Sequence, residues 1–204
     1  ARPGIATRSE SIQRTLVQMI AAVLCGGKGT RLRDVIGEHK KCCTVIGDKP
    51  WLHRVLDFLA VGGIAEVVLL TGYKAEEVSQ AAREWVESNE HSQMQVLVSL
   101  PTIGGPEAAM ASAFESTRAK TLLFINGDTI LEGFDLQGFL ADRKSNLCVT
   151  VRGPSVLSPK IVDSGIYYRF RGCGTPGSEL RTRLPFIDIG TPAGLAEARR
   201  RYEE

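Results

Sequence analysis

Apolar residues along the chain gather into short runs separated by polar, helix-periodic stretches. From Met19 the run M-I-A-A-V-L-C is continuously apolar and empties into G-G-K-G-T, the pattern of a strand buried on both faces that ends in a loop. Trp51 to Val61 sets Trp51, Leu52, Val55, Leu56, Phe58 and Leu59 on one broad face and stops at Gly62-Gly63, which predicts a helix. A second strand, E-V-V-L-L-T-G, follows, then a polar helix over Lys74 to Asn89 and a third strand, M-Q-V-L-V-S-L. Glu107 to Thr117 is a helix of small residues, and K-T-L-L-F-I-N-G-D is a fourth strand ending in an acid. Beyond Asp128 the pattern weakens. L-C-V-T-V, G-I-Y-Y-R-F and L-P-F-I-D-I are short strand candidates between Gly, Pro and Ser, and Thr191 to Glu204 is a last helix with Pro192 in its first turn. R-G-C-G-T-P-G-S at 171–178 reads as a mobile loop, and there is no internal repeat.

Strands alternating with helices require crossover connections, so the expected fold is α/β, a doubly wound and mainly parallel sheet in a single domain over 19–204. Residues 1–18 are polar and read as an N-terminal arm with no assigned function. In such sheets ligands collect beyond the C-terminal strand ends, where Gly26 to Arg31, Thr71 to Tyr73 and Asn126 to Asp128 all fall. Three loops are expected to converge on one site.

Charge and cysteine content narrow the partner. A net charge of +2, from 25 basic and 23 acidic residues, gives no basic surplus of the kind that nucleic acids or membrane surfaces attract. The expected partners are small molecules, with self-association left open. Cys25, Cys42, Cys43, Cys148 and Cys173 form no C-x-x-C pair and no metal-ligand spacing with His39, His53 and His91, which predicts reduced thiols in a cytoplasmic protein. Neither a bilayer-spanning apolar run nor an apolar leader is visible. The histidines are read as surface or packing residues and Cys25 as a packed thiol; the vicinal Cys42-Cys43 pair is taken as incidental to redox chemistry.

The loop G-G-K-G-T-R-L-R at 26–33 lacks the G-K-[ST] of a Walker loop, and Leu32 stands where a dinucleotide fingerprint needs its third glycine. What remains is a set of glycines that let backbone N–H groups approach phosphates, with Lys28, Arg31 and Arg33 to neutralise charge. Asp128 and Asp188 each follow an apolar strand among small residues, placing carboxylates at strand ends where Mg²⁺ can be shared with phosphate oxygens.

Together V-L-C-G-G-K-G-T-R-L-R, G-D-K-P-W-L at 47–52 and G-I-A-E-V-V-L-L-T-G-Y-K at 63–74 resemble the sugar-phosphate nucleotidyltransferases. The likeness is strongest to the short guanylyltransferases acting on heptose or mannose 1-phosphates, and continues through F-I-N-G-D-T, D-S-G-I-Y and F-I-D-I-G-T-P to about residue 200. The resemblance implies a Rossmann-like fold that joins a nucleoside triphosphate, GTP here, to a sugar 1-phosphate with release of pyrophosphate. It implies Arg31 and Lys41 as the catalytic cations on the triphosphate. Leu24, Gly26, Gly27, Gly29, Thr30, Gly104 and Glu107 would bind the nucleotide, and Tyr73, Gly127 and Gly165 the sugar phosphate. Asp128 and Asp188 are the metal-holding acids of the family. A sugar 1-phosphate is already ionised near neutral pH, so no general base is needed; positioning and charge neutralisation suffice.

Glu107 stands where relatives carry an amide that reads the base edge. A carboxylate only accepts hydrogen bonds and so matches the adjacent donors of guanine; alternatively it favours the first turn of the following helix. The family writes its lysine as P-K-P, whereas this chain has Lys40-Lys41-Cys42, leaving Lys40 as the alternative to Lys41. The E-K-P element that contacts the sugar phosphate is absent, and Lys160 is a poor stand-in. The spacing from Asp128 to Asp188 is also short, so either the acceptor site is trimmed or loop residues near 152–160 and 171–183 are missing from this sequence. A nucleotide-binding regulatory relative without catalysis, or a transferase for a phosphate such as phosphocholine, are the competing readings. Retention of Arg31, Lys41, Asp128 and Asp188 together favours turnover.

Overall fold

The computed structural model describes residues 20–90, 92–119, 121–131, 133–141, 147–148, 166–170, 178–179 and 186–203. Strand β1 (Ile20–Leu24) leads through a 3-10 turn at Thr30–Leu32 into the short helix α1 (Arg33–Ile36), a second 3-10 turn at Lys41–Cys43, and a hairpin of β2 (Val45–Ile46) and β3 (Lys49–Pro50). The units α2 (Trp51–Val61) with β4 (Glu66–Leu70), α3 (Ala75–Ser88) with β5 (Gln95–Val98), and α4 (Gly105–Thr117) with β6 (Thr121–Asn126) then build the body of the sheet. After them come β7 (Thr129–Leu131), α5 (Leu136–Ala141), β8 (Leu147–Cys148), β9 (Ile166–Phe170), β10 (Ser178–Glu179), β11 (Phe186–Asp188) and α6 (Pro192–Tyr202).

The main sheet has the order β5-β4-β1-β6-β9, with four parallel strands and β9 antiparallel beside β6. Its two faces are separated by the period of two in each strand. Ala21, Val23, Val67, Leu69, Leu123 and Ile125 point to a large core shared with α2, α3, α5 and α6. Ala22, Val68, Leu70, Leu122 and Phe124 point the other way, onto Ala109, Met110, Ala113 and Phe114 of α4. Burial of both faces is why these strands are apolar at every position rather than alternating, and it makes the sheet doubly wound as expected. Only α4 covers the second face among the described residues, so its small side chains let it lie close.

The predicted elements fall within a residue or two of the observed ones, apart from the segments past Asp128. There β8 holds two residues of L-C-V-T-V, while β9 adds an antiparallel edge that the pattern alone did not orient. The N-terminal arm, Lys160 and the 171–178 loop (save Ser178, in β10) lie outside the described residues, as does His91. Strand β5 is the edge opposite β9, and Leu97 and Val98 are exposed there.

Removing packing from the buried face should be costly in proportion. Leu69→Ala, at a fully buried position of β4, is expected to lower stability by about 2–5 kcal/mol through lost contacts and a cavity. Val61→Ala, at a side chain 84% exposed, should change it by less than about 0.5 kcal/mol. Urea unfolding followed by circular dichroism compares the two.

Candidate active site

Five segments, 24–28, 40–42, 71–73, 101–106 and 126–128, wall a cleft of about 750 Å³ at the C-terminal edge of the parallel strands. The volume suits a nucleotide-sized ligand. Backbone bonds carry the strand ladder on into these loops: Cys25 N–H donates to Leu70 O at 2.9 Å, Gly127 N–H to Leu24 O at 3.1 Å, and Thr102 N–H to Thr71 O at 3.1 Å. Gly29 caps the 3-10 turn of the phosphate loop at φ 63°, a left-handed conformation that favours glycine.

The two lysines divide the work that the sequence left open between them. Lys40 is only 2% exposed. Its ammonium donates to Gly27 O at 2.7 Å and Tyr73 O at 2.9 Å, and its backbone N–H to the Glu77 carboxylate at 2.7 Å. It is a tie between the phosphate loop and the Tyr73 loop, and burial pulls its pKa below the ordinary lysine value. Lys41 points into the site instead and bonds the Asp128 carboxylate. The geometry therefore puts Lys41, not Lys40, beside the acids.

Asp128 and Asp188 are brought together by the antiparallel pairing of β7 with β11, in which Thr129 faces Asp188. Ile189 N–H closes the ladder on Asp128 O at 3.0 Å. Both carboxylates and the Lys41 ammonium crowd Gly190, where an added Cβ would lie 2.7 Å from Asp188 Oδ1, 2.8 Å from Asp128 Oδ2 and 3.1 Å from Lys41 Nζ. A larger residue there would have to displace these three side-chain ends. Burial raises the Asp188 pKa above the ordinary carboxylate value and the charge of Asp128 raises it further, while the Gly190 N–H, Lys41 and Arg31 act in the opposite direction. Two hard oxygen donors under mutual repulsion, beside a phosphate-sized cleft, are a donor set that suits a divalent cation such as Mg²⁺.

Leu24, Gly26, Gly27, Lys41, Tyr73, Gly104, Gly127 and Asp128 line the cleft. Gly29, Thr30 and Arg31 pass beside it: Gly29 backs onto the Lys41 side chain, and Arg31 is close enough for its charge to act on Asp188. Glu107 sits exposed in the first turn of α4, one residue past the cleft-lining Gly104-Gly105-Pro106, where its charge also suits the helix N-terminus. Gly165 lies outside the described residues. His53 is buried and bonded to Ala81 O at 2.8 Å, and His39 is a surface residue beside Glu77, in keeping with packing and surface roles. Two residues went unassigned in the sequence: Lys40 as a tie, for which two adjacent lysines give no signal, and Gly190, visible only as the glycine of I-D-I-G-T-P.

A parallel, doubly wound sheet with a glycine loop and paired acids at its carboxyl edge defines a phosphate-handling α/β domain of Rossmann-like type. The chain belongs to the MobA-like NTP transferase domain family, whose profile matches residues 21–172. Among similar proteins, the D-glycero-alpha-D-manno-heptose 1-phosphate guanylyltransferase of Aneurinibacillus thermoaerophilus is 35% identical over 113 residues, 55% of this chain and 47% of that protein. A probable glucose-1-phosphate cytidylyltransferase of Bacillus subtilis is 40% identical over 62 residues, 30% of this chain and 24% of the relative. The chain thus spans about half or less of these relatives' length. The crystal structure of HddC from Yersinia pseudotuberculosis complexed with GMP-PN superposes with a TM-score of 0.72 at 23% identity, covering 90% of this chain and 99% of that one. That likeness shows the fold. Among the described residues no helix is long and apolar enough to cross a membrane.

The lysines are separable by experiment. Lys40→Met should cost about 1–3 kcal/mol in urea unfolding, since it leaves the Gly27 and Tyr73 carbonyls without their donor. Lys41→Met should remove activity and, by leaving Asp128 without its partner, cost stability only while the acids are ionised. Its loss then fades in acid where the Lys40→Met loss persists; parallel losses across pH would refute the division.

Asp188 gives a pH test with a definite sign. Its folded pKa lies above the unfolded value, so stability is fully present below the unfolded pKa and is lost as pH rises through the folded one. In protein freed of divalent cations, Asp188→Asn is expected to raise the melting temperature at neutral pH. The gain should shrink as pH falls through the folded-state pKa and vanish below the unfolded carboxyl value of about 3.9. A variant less stable than the parent at neutral pH would contradict this.

Proposed function

We propose that the chain transfers a nucleoside monophosphate from a nucleoside triphosphate, GTP by preference, to a sugar 1-phosphate of the heptose or mannose type, releasing pyrophosphate. The observation that carries this reading is the meeting of Asp128, Asp188 and Lys41 at the edge of a glycine-walled cleft, with the charge of Arg31 reaching Asp188. The names of the relatives at 35% and 40% identity agree on sugar 1-phosphates as acceptors and differ in the base.

In this reading the backbone of Gly26 and Gly27 lies along the triphosphate, and Lys28 and Arg31 offset its charge. Asp128 and Asp188 would hold Mg²⁺, which when bound supplies further neutralisation of phosphate charge. The sugar-phosphate oxygen forms a bond to the α-phosphorus as the bond from that phosphorus to the β-phosphate bridging oxygen breaks. Lys41 lies beside Asp128, placed to meet the negative charge that spreads over the transferring group. Tyr73 and Gly127 border the acceptor side. The preference for guanine rests on Glu107, whose carboxylate accepts from two neighbouring donors and cannot donate.

The test is pyrophosphate release with each of the four nucleoside triphosphates against a panel of sugar 1-phosphates. GTP with a heptose or mannose 1-phosphate is expected to be the fastest pair, EDTA to silence it, and Asp128→Asn to reduce it below detection. Arg31→Ala should cost roughly 10²–10³-fold in turnover. Glu107→Gln should erode the preference for GTP more than it slows the best pair, because a site built around paired hydrogen bonds rejects partners that leave them unmade. A preference of the parent for UTP or dTTP would overturn the role of Glu107. Nucleotide binding without turnover for any pair would overturn the transfer reaction.

A further inference from the structure

Glu77, in the first turn of α3, lies behind the cleft-lining Lys40, and no motif marks it. Its two oxygens are used separately. One accepts the Lys40 backbone N–H at 2.7 Å, and the other pairs with the Lys74 ammonium at 3.2 Å. The exposed His39 ring stands 3.9 Å from the first oxygen. A hydrogen bond from a backbone N–H to an ionised carboxylate is among the stronger ones a chain can make, and this one joins residues 37 positions apart. Lys74 meets the carboxylate from a left-handed backbone with φ 55°, a conformation shared among the described non-glycine residues only with Arg118. A residue keeps such a shape where its surroundings fix it.

The bond matters because of where Lys40 sits. Its amide directly precedes the 3-10 turn at Lys41–Cys43, which is closed internally by Cys43 N–H on Lys40 O at 2.9 Å and Thr44 N–H on Lys41 O at 3.2 Å. Those two bonds shape the turn; contacts from outside it decide which way it faces. Lys40 makes such contacts at both of its ends, its backbone on Glu77 and its ammonium on Gly27 O and Tyr73 O. With both ends fixed, Lys40 sets the direction in which the next side chain, Lys41, leaves the backbone toward Asp128. We propose that Glu77 is a positioning residue, whose carboxylate clamps the Lys40 peptide to α3 and thereby aims the Lys41 ammonium at Asp128 and the transferring group. The effect on the transferring group rests on the transfer reading, whereas the aim at Asp128 does not.

A carboxylate in a first helical turn also favours the helix by its charge. Glu76 occupies the same turn and is exposed, so it separates that contribution from the clamp. Glu77→Ala is expected to lower kcat for pyrophosphate release by roughly 10–10²-fold, the scale on which a misplacement of about 1 Å acts. The KM for the nucleotide should stay within roughly threefold, because Lys41 meets charge that develops in the transition state. Glu77→Gln keeps an acceptor for the Lys40 N–H and should hold kcat within roughly threefold of the parent. Glu77→Asp keeps the charge but is one methylene short and should resemble Glu77→Ala. Glu76→Ala should behave as the parent does.

A second measurement needs no turnover. In protein freed of divalent cations, the melting-temperature shifts of Lys41→Met and Asp128→Asn should be non-additive, because the two side chains pair. In a Glu77→Ala background that non-additivity is expected to fall to less than about half, and in Glu77→Gln to persist. Undiminished non-additivity in Glu77→Ala, equal kcat losses for Glu77→Ala and Glu77→Gln, or a loss carried by KM alone would overturn the positioning role. Non-additivity lost with kcat unchanged would overturn its effect on the reaction. A parent that shows Glu77-dependent pairing but releases no pyrophosphate with any substrate pair would leave the clamp standing and sink the transfer reading.

Discussion

Two carboxylates held together against their own repulsion are the constraint on which the rest of this site depends. Asp128 and Asp188 are 60 positions apart and meet only because three residues of β7 pair with three of β11. Burial and mutual charge both work against ionisation of Asp188. The surroundings offset that cost in a specific way: a lysine on Asp128, the Gly190 N–H on Asp188 at 2.7 Å, and the charge of Arg31. Two further glycines keep the arrangement compact. Gly190 leaves room for both carboxylates, and Gly194 lets the first turn of α6 rest against the Asp188 carbonyl, where a Cβ would come within 1.8 Å. A site of this kind sacrifices stability for local charge density, a trade that marks functional sites.

The lysine pair shows how one departure from the family pattern is absorbed. Where the resemblance leads one to expect a lysine between two prolines, this chain has Lys40 before Lys41 and Cys42 after it. A buried ammonium is tolerable only with its hydrogen bonds made, and Lys40 makes them to carbonyls of two different loops. The same short turn sets the sulfurs of Cys42 and Cys43 4.0 Å apart. Stiffness that proline would give by fixing φ is supplied here by tertiary hydrogen bonds.

Much of the fold was legible in the sequence because both faces of the sheet are buried. Continuous apolar runs such as A-A-V-L and V-V-L-L have few alternatives to a covered parallel strand, and Trp51 to Val61 shows a helical period too regular to mistake. Legibility fell off after Asp128. There the strands are two or three residues long, apart from the edge strand β9, and their placement comes from partners rather than from their own pattern. The candidate site was readable through motifs: the glycine loop, N-G-D and I-D-I-G-T-P supplied most of the residues that now face or flank the cleft. Glu107 was readable only as a residue type, since a carboxylate in a first helical turn serves the helix whether or not it also serves a ligand.

The sequence by itself determined the α/β class, the order of the strands and helices that build the sheet, and which loops end at its carboxyl edge, because period and burial are local properties carried by each segment. Only the tertiary structure decided which of two adjacent lysines meets the acids, that Asp188 pairs across from Thr129, and that Gly190 lies against both carboxylates. Each of these is a contact between segments distant in the chain. Their register and separation follow from the packing of the sheet and its flanking hairpin, and no spacing along the sequence encodes them.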